Sequence, residues 1–522
     1  MAWNLNIHVI DVGVGDSSLI LAGEPTTHTT RSMLVDGGLG EAASTVHNKV
    51  RSLVTALDVI LVSHFDTDHS VGVANLLLAD NLWHLCDLIA GVAVIGTGGI
   101  RQKTIAGVTA AAYAAASGAW GADVGGAGGP ALAARTRVDA TYTDGNAAAE
   151  GIEIAKQFDY KGALLVPPPV VRSRAARSTG VAAANAIEAN STADQQRAEI
   201  RWALFLALKG SLPAGARFDT GGIYRDTRII DIGTVVAPAQ NYLLAIQDKV
   251  RLGSSTVQVP GVNRPILSLP PLGSEVLWNG PVPANAPVAI VVSTPSASSP
   301  SPTGTGWRGQ GVAPVTFNSG QAANDVSIGV VLVFGGFTYF TAGDLPSQGE
   351  DPIGQALVSR RLPDGRGGLR PKPLPDLVGL KCSHHGSDAS TSDAFVGEVQ
   401  PAVAVLSCGN MHDFPTQRVV GTLHRAASVE RFYLTNCQYV RAYVPASAPP
   451  VAGVNQLMTP GNRSRVAGDN NPMNRAIGRH RGDIRLFTTR EWAYAAASVK
   501  FTVSYWENTT QQMMVDEIEL DN

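Results

Sequence analysis

An apolar run that ends in a dense group of metal-competent side chains constrains the fold of this chain more than any other sequence feature. Residues 58–64, "DVILVSH", predict a short strand, and their apolar composition is typical of a strand covered on both faces. Four potential metal ligands follow closely: His64, Asp66, Asp68 and His69. Residues 70–83 then predict a helix. Strands that end in such loops before helices indicate an α/β layered fold.

Taken alone, this cluster leaves two interpretations open. Two divalent ions about 3.5–4 Å apart need such a density of ligands and a carboxylate that bridges them. A solvated acidic turn with two incidental histidines is the alternative. A calcium loop that begins at Asp66 is excluded, because its sixth position would be Val71 instead of Gly and its twelfth Leu77 instead of Glu.

Two further predicted strands also end in metal-competent residues. Residues 324–346 predict a hairpin whose second strand leads to Gly343 and Asp344, and residues 374–391 contain a strand that runs into His384 and His385. A single strand-end carboxylate or imidazole is more often a cap or an ion-pair partner. The conjunction of three such strand ends favours a metal centre.

The rest of the chain predicts a core interrupted by an insertion. With 44% hydrophobic and 16% charged residues, the chain can bury a sizeable core, which excludes wholesale disorder. An Ala- and Gly-rich stretch predicts a mostly helical insertion, and a Ser-, Pro- and Gly-rich stretch predicts a loop. The predicted divisions are a first half of the core (1–100), the insertion (101–225), a second half (226–445, with the loop at 295–311) and a C-terminal β extension (446–522).

Charge and cysteine content limit the setting in which the protein works. A net charge of −3 gives no global attraction to nucleic acid or to an anionic membrane. The four cysteines show no CxxC spacing, which favours free thiols in a reducing compartment. The start of the chain lacks a signal-peptide pattern, and we find no run of 18 apolar residues. These features predict a soluble, cytoplasmic protein.

Several motifs, in this order, resemble the metallo-β-lactamase fold and most closely the soluble hydrolase domain of ComEC-type DNA-uptake proteins. They are "DVGVGDSSLI" (11–20), "LVDGG" (34–38), "SHFDTDHSVG" (63–72), "NDVSIGVVLVFGGFTYFTAGD" (324–344), "LKCSHHGSDASTSDAF" (380–395) and "CGNMHDFPTQRVVGTL" (408–423). The resemblance implies an αββα sandwich that carries the large insertion. Since no membrane-channel segment accompanies these motifs, we do not expect a DNA-uptake channel.

The resemblance also implies the ligand set of a dinuclear centre. One ion would be held by His64 and Asp66, and the other by Asp68, His69 and His384, with Asp344 as the bridge. Zn²⁺ is the expected ion, and Mn²⁺ is a rival because a carboxylate at position 66 replaces the superfamily's usual imidazole.

Three carboxylates outside this set are expected to support it. Asp36 resembles the strand-end acid that orients a ligand histidine from behind, and Asp11 and Asp16 join it in this group. The alternative for Asp36 is a plain turn residue before Gly37 and Gly38.

One ligand of the superfamily has no counterpart in this chain. A further histidine is normally found between the first cluster and the bridging aspartate. The only histidine between His69 and Asp344 is His84, in the predicted helical segment. A residue of the insertion or a water would have to fill that position.

The resemblance implies hydrolysis by a metal-activated water, most closely of a phosphodiester in nucleic acid or a nucleotide. Asp68, His385 and His412 are the candidate catalytic residues, with either histidine as proton donor to the leaving group. Structural roles for both histidines remain open. Ser387 and Thr391 are expected to cap the following helix.

An arginine-rich segment near the C-terminus is a weak candidate for phosphate binding. The candidates are Arg463, Arg465, Arg479 and Arg481, in a segment that also contains Arg475 and Arg485. A solvated loop is the alternative, and aromatic residues are too scarce, at 6%, to indicate a base-stacking surface.

Two other functions compete with a phosphodiesterase or nuclease. The first is hydrolysis of a lactone, thioester or lactam by the same water. The second is a binding or scaffold protein on a degenerate metal site, with the insertion as the surface for a protein partner or a second copy. The absent middle histidine favours this last function, and the competent residues at every other ligand position count against it.

Overall fold

The computed structural model describes residues 3–26, 29–77, 94–97, 100–103, 223–224, 227–233, 235, 242, 269–296, 301–309, 311–359, 377–409, 414–436, 464–466, 482–507 and 512–521. The chain divides into two compact units. One comprises Met1–Val73, Asp226–Ala239 and Val257–Asn522, and the other comprises Ala74–Arg225 and Gln240–Thr256.

Strands outnumber helices among the described residues. The strands are β1 (Asn4–Val9), β2 (Ser18–Glu24), β3 (Thr29–Val35), β4 (Val59–Leu61), β5 (Val94–Thr97), β6 (Ile100–Lys103), β7 (Arg228–Ile230), β8 (Val288–Pro295), β9 (Gly304–Gly306), β10 (Val315–Phe317), β11 (Gly329–Phe334), β12 (Phe337–Thr341), β13 (Gly379–Lys381), β14 (Val403–Leu406), β15 (Arg431–Leu434), β16 (Ser464–Val466), β17 (Ile484–Thr489), β18 (Ser498–Glu507) and β19 (Gln512–Asp521). The helices are α1 (Ala43–Leu53), α2 (67–77), α3 (Ala322–Asp325), α4 (Ser347–Ser359), α5 (Asp393–Val399), α6 (Gln417–Arg425) and α7 (Arg490–Ala493), with 3₁₀ turns at Gly40–Ala42 and Ser383–Gly386.

The first unit contains two mixed sheets. One has the strand order β19-β18-β17-β1-β2-β3-β4-β7, and the other has the order β10-β9-β8-β11-β12-β13-β14-β15-β16. Strands β3, β4 and β7 are parallel, as are β12 to β16, so their carboxyl ends are aligned. The predicted α/β class is therefore confirmed.

Aromatic side chains join the facing surfaces of these two sheets. The rings of Phe337 on β12 and Phe501 on β18 lie 5.4 Å apart, as do those of Tyr433 on β15 and Tyr505 on β18. Phe340 points to the opposite face of β12, because strand side chains alternate, and packs 5.4 Å from Phe395 of α5. This arrangement of sheet against sheet, with helices outside, is consistent with the predicted sandwich.

The chain ends meet within the first sheet. Strand β1 pairs antiparallel with β17, with Ile7 opposite Leu486. This pairing places the first strand of the chain beside the three-stranded C-terminal meander of β17, β18 and β19. Residues 482–507 and 512–521 thus extend the first sheet.

One predicted segment, the loop at 295–311, differs from the structure, and another, the insertion at 101–225, lies mostly outside the described residues. Part of the predicted loop at 295–311 forms β9, which pairs with β8 and β10. A Cβ at Gly304 would collide with the carbonyl oxygen of Asp325. Glycine therefore occurs in this strand because two backbones approach closely, although glycine is not typical of strands. Most of the predicted helical insertion at 101–225 lies outside the described residues, which here are only 101–103, part of β6, and 223–224.

Within the described part of the chain, no helix combines the length and the apolar content needed to cross a bilayer.

Candidate metal centre

The predicted site residues follow the carboxyl ends of four strands in the first unit. Asp36 follows β3, and His64 comes after β4, just before α2. Asp344 follows β12, and the pair His384–His385 follows β13. Strands β3 and β4 are parallel, and so are β12 and β13. The carboxylates and imidazoles that follow each pair of strands therefore lie at one edge of its sheet.

Asp344 stands at the centre of the site, with both carboxylate oxygens turned toward imidazoles. Its Oδ1 lies 3.1 Å from His69 Nε2 and 3.5 Å from His385 Nε2. Its Oδ2 lies 3.5 Å from His384 Nε2 and 3.9 Å from His64 Nε2. A carboxylate that faces two groups of ligands, one with each oxygen, is suited to bridge two ions.

Asp68 joins the group that faces Oδ1 of Asp344. Its Oδ2 lies 3.2 Å from His385 Nε2 and 3.9 Å from His69 Nε2. One ligand atom from each of Asp68, His69 and His385 lies within 4.8 Å of the others, and the same holds for His64, His69 and Asp344. Two overlapping sets of three ligands thus share His69.

The two neighbouring histidines are distributed differently from the sequence-based assignment. His385, which was assigned to proton transfer, lies against Asp68 and His69. His384, which was assigned to the ion of Asp68, lies beside the Asp344 oxygen that also faces His64. Both residues have left-handed backbones, with φ of 50° and 55°, and this conformation sets the directions of the two side chains.

Asp66 lies at the outer side of the cluster. Its Oδ2 is 3.6 Å from His64 Nε2, and its side chain is 46% exposed. It is thus the most open of the predicted ligands, at the end of the site that a solute can reach.

Several ligand atoms at the centre lack hydrogen bonds within the described residues, although they are buried. They are Nε2 of His64, His69 and His385, and Oδ1 of Asp344. These buried nitrogens lie 3.1 to 3.9 Å from the Asp344 carboxylate without forming hydrogen bonds of normal geometry, and their convergence on one small volume is typical of a ligand set. The residues therefore fit a bound cation.

The other nitrogen of each of these imidazoles is already engaged. His69 Nδ1 lies 2.9 Å from Asp36 Oδ2, His385 Nδ1 lies 3.0 Å from the carbonyl oxygen of Ser407, and His64 Nδ1 lies 3.1 Å from Ser63 Oγ. Oxygen acceptors at Nδ1 keep the proton on that nitrogen and leave the Nε2 lone pair for a metal.

The charges of the site also favour a cation. Burial opposes charge on every group, yet Asp344 raises the pKa of His385 to about 10, and Asp344 and Asp68 raise that of His69 well above its usual value. The imidazoles in turn lower the pKa of Asp68 to about 2. The clustered carboxylates thus favour positive charge at the site. Without a metal, protonated His69 and His385 provide that charge.

Asp36 contacts His69 directly and His64 through Ser63. It is fully buried and accepts hydrogen bonds of 2.7 Å from both the amide and the hydroxyl of Ser63. Since the Ser63 hydroxyl donates to Asp36, its oxygen is free to accept from His64 Nδ1. The sequence indicated Asp36 as a support for one histidine, but not this relay through Ser63.

We expect Asp36→Asn to weaken metal binding by about 10- to 100-fold, since an amide cannot accept from both Ser63 and His69 in the same way. Competition with a chromophoric chelator would measure the affinity. Asp231→Asn is the matched control, because Asp231 is also buried near a strand end but accepts from the amide of Gly233. Equal affinities for the two variants would contradict a role of Asp36 in ligand orientation.

A buried ion pair lies behind His385. Lys381 Nζ contacts Asp16 Oδ2, and both residues are 2% exposed. Asp16 Oδ1 lies 3.3 Å from His385 Nδ1. Burial alone would raise the pKa of Asp16, but Lys381 and His385 hold it far below its usual value. Asp16 thus lies beside His385. The sequence did not indicate its partner Lys381, because a single charged residue within an apolar strand forms no recognisable pattern.

The remaining predicted residues are found elsewhere or are not described. Asp11 lies in a turn, where its Oδ1 accepts from the amide of Gly13 and its amide donates to Asp483. Position 465 belongs to β16. His84, His412, Arg463, Arg475, Arg479 and Arg481 lie outside the described residues.

Three details of the surroundings were not predicted correctly or were missed. The cap of α5 is Ser392, whose Oγ accepts from the amide of Phe395, and neither Ser387 nor Thr391 has this role, because the helix begins only at Asp393. Asn324 Nδ2 lies 3.3 Å from His384 Nδ1. Arg485 of the arginine-rich segment donates to Asn6 and lies over the ring of Phe487.

Comparison with known proteins yields one distant similarity. No family model matches the chain. ComE operon protein 3 of Bacillus subtilis (strain 168) is 30% identical over 104 residues, which are 20% of this chain and 12% of that protein. The chain therefore matches only a small part of its relative's length, and a ComEC-like relationship is supported only distantly.

Proposed function

We propose that this protein is a metal-dependent hydrolase with a dinuclear centre, and that its substrate is a phosphodiester of a nucleic acid or a nucleotide. One observation supports the metal centre above all. Three buried imidazole nitrogens and Oδ1 of Asp344 converge without hydrogen bonds among the described residues. The substrate class rests on the distant similarity to ComE operon protein 3 and on the motifs of the sequence.

The proposed ligands form two sets joined by Asp344. Asp68, His69 and His385 would hold one ion together with Oδ1 of Asp344. His64 and the more exposed Asp66 would hold the other together with Oδ2. His384, whose Nε2 also faces Oδ2, would fill the position left by the absent middle histidine. Zn²⁺ is the first candidate, and the share of carboxylate ligands keeps Mn²⁺ a candidate as well.

Two divalent ions would lower the pKa of a shared water toward neutrality and offset charge that develops on the substrate. The residues of the chain would supply the rigid framework. Asp36 and Ser407 fix the tautomers of His69 and His385, and Ser63 does so for His64. Gly343 (φ 51°) allows β12 to turn toward the site, because a Cβ there would collide with Ser63 Oγ. With His385 among the proposed ligands, protonation of the leaving group would fall to another residue or to water.

Elemental analysis of the purified protein tests this proposal together with hydrolysis of bis-p-nitrophenyl phosphate. We expect close to two ions per chain and phosphodiesterase activity restored by Zn²⁺ or Mn²⁺ after chelation. Both should be lost in a variant that carries Asp68→Ala and His69→Ala. His424→Ala is the control, since His424 is an exposed residue of α6.

Other results would point to the competing functions. Bound metal with hydrolysis of lactones or thioesters, and none of phosphodiesters, would replace the substrate class. A protein that binds no metal, and that is unchanged by the double substitution, would contradict the enzyme proposal and favour a binding or scaffold role.

A further inference from the structure

The loop that carries His384 and His385 holds an unfavourable backbone conformation. His384, His385 and Thr391 have φ of 50°, 55° and 52°, in the left-handed region that residues other than glycine avoid. For a β-branched residue such as Thr391 this conformation is especially unfavourable. Such residues persist only where their surroundings determine them strongly, often at functional sites. The surroundings of this loop therefore bear on the direction of both histidines.

Arg418 contacts the loop from helix α6. Its guanidinium donates to the carbonyl oxygens of Thr391 at 3.2 Å, of Ser387 at 3.1 Å and of Ser390. A guanidinium presents several donors in a fixed plane, so it can hold three carbonyl groups in one arrangement. One side chain thus fixes the half of the loop that follows the histidines.

Glu350 contacts the same loop from helix α4. It is completely buried, and its Oε2 accepts from the amide of Thr391. Its Oε1 and the hydroxyl oxygens of Ser383 and Thr391 are buried without hydrogen bonds among the described residues. The Ser383 side chain nevertheless lies near enough to lower the pKa of Glu350. Since Ser383 directly precedes His384, Glu350 is close to both ends of the loop.

The contacts within the loop link these two ends. Ser390 Oγ donates to the carbonyl oxygen of Ser383 at 2.7 Å. Ser392, just beyond the loop, donates to Asp351 on α4, next to Glu350. The segment from 383 to 392 is therefore attached to α4 and α6 at several points, while its two histidines face the opposite way, toward Asp344.

We propose that Glu350 and Arg418 are positioning residues that hold the left-handed His384–His385 pair in its metal-binding arrangement. Without them the loop is free to relax to right-handed backbone angles, which would turn one or both Nε2 atoms away from Asp344. This inference rests on the proposed function in so far as the two histidines bind metal. It assigns a role to two residues whose hydrogen bonds, within the described part of the chain, go to the loop and not to the proposed ligand side chains.

The form of Glu350 that suits this role is the neutral acid. Burial raises its pKa to about 7, while Ser383, the amide of Thr391 and Arg418 lower it and Asp351 raises it further. A neutral carboxyl group can accept from the Thr391 amide with one oxygen and donate to a hydroxyl with the other. Glutamine has the same pattern of one acceptor and one donor group, which makes Glu350→Gln a conservative replacement.

The test measures the affinity for Zn²⁺ by chelator competition and the fold by circular dichroism. We expect Glu350→Ala and Arg418→Gln to weaken binding at least tenfold with native spectra, and Glu350→Gln to bind within about twofold of the wild type. Arg425→Gln is the control, since Arg425 lies on the same helix and pairs with the exposed Asp393. If Glu350 acted only by stabilising the fold, Glu350→Ala would lose its native spectrum together with its affinity. A native spectrum for Glu350→Ala, with affinity lost in that variant and retained in Glu350→Gln, indicates a positioning role.

The outcomes separate this inference from the proposed function. Wild-type protein that binds Zn²⁺, with Glu350→Ala and Arg418→Gln binding it equally well, would overturn the inference alone. Wild-type protein that binds no metal would overturn the proposed function and the inference with it. If Glu350→Ala does not fold, the comparison of Arg418→Gln with Arg425→Gln decides.

Discussion

The Asp344→Ala variant is expected to lose hydrolytic activity by about 10³-fold or more, equivalent to about 4 kcal/mol of transition-state stabilisation. It is also expected to retain fewer than two ions per chain. The reason is geometric, because the two oxygens of Asp344 face His69 and His385 on one side and His64 and His384 on the other. Removal of this carboxylate should disconnect the two ligand sets and remove the negative charge that would offset the repulsion between two cations.

Elemental analysis and initial rates on bis-p-nitrophenyl phosphate would measure both effects. Asp393→Asn serves as the control, because Asp393 is an exposed carboxylate that pairs with Arg425 at the start of α5. An isosteric Asp344→Asn variant separates loss of charge from loss of volume, and we expect it to behave like the alanine variant. Two ions per chain and undiminished activity in Asp344→Ala would show that this residue does not bridge.

The Lys381→Met variant is expected to lower the free energy of unfolding by about 3–5 kcal/mol. Lys381 and Asp16 are both buried, and their contact compensates two charges that have left water. Methionine fills a similar volume but removes the cation that lies nearest to the buried Asp16 carboxylate. An uncompensated buried charge is among the few causes of destabilisation of this size.

Urea unfolding of the metal-free protein at neutral pH would give the free energy. The double variant Asp16→Asn with Lys381→Met should recover much of the loss, because it removes both buried charges together. Lys500→Met is the matched control, since Lys500 pairs with Glu519 at 2.8 Å while both side chains are nearly half exposed. We expect no measurable change in its unfolding midpoint, because water screens that pair. A Lys381→Met variant as stable as Lys500→Met would contradict the assignment of Lys381 as the compensating cation.

The location of the candidate site was predictable because its residues mark strand ends. His64, Asp68 and His69 are close in sequence and follow a strand that is recognisable by its apolar composition, so local geometry already brings them together. Asp344 was indicated by its place after a hairpin, and the structure brings it to the same cluster. The α/β class followed from the same alternation of strands, chemistry-bearing loops and helices.

The supporting contacts could not be predicted, because they join residues that are far apart in the chain. Asp16 meets Lys381 across 365 positions, and nothing in either segment indicates the other. The relay from Asp36 through Ser63 to His64 depends on the register of β3 beside β4. The meeting of β1 with β17 likewise depends on sheet order, which strand propensity does not encode.

The sequence by itself determined which side chains are available for a metal centre and at which strand ends they occur. Only the tertiary structure decided which of His384 and His385 lies against Asp68. Neighbouring residues in a regular strand would point to opposite faces, but these two residues have left-handed backbones. Their loop is also contacted by Glu350 and Arg418. Side-chain direction in such a loop depends on backbone angles that distant helices constrain, and that information is absent from local sequence.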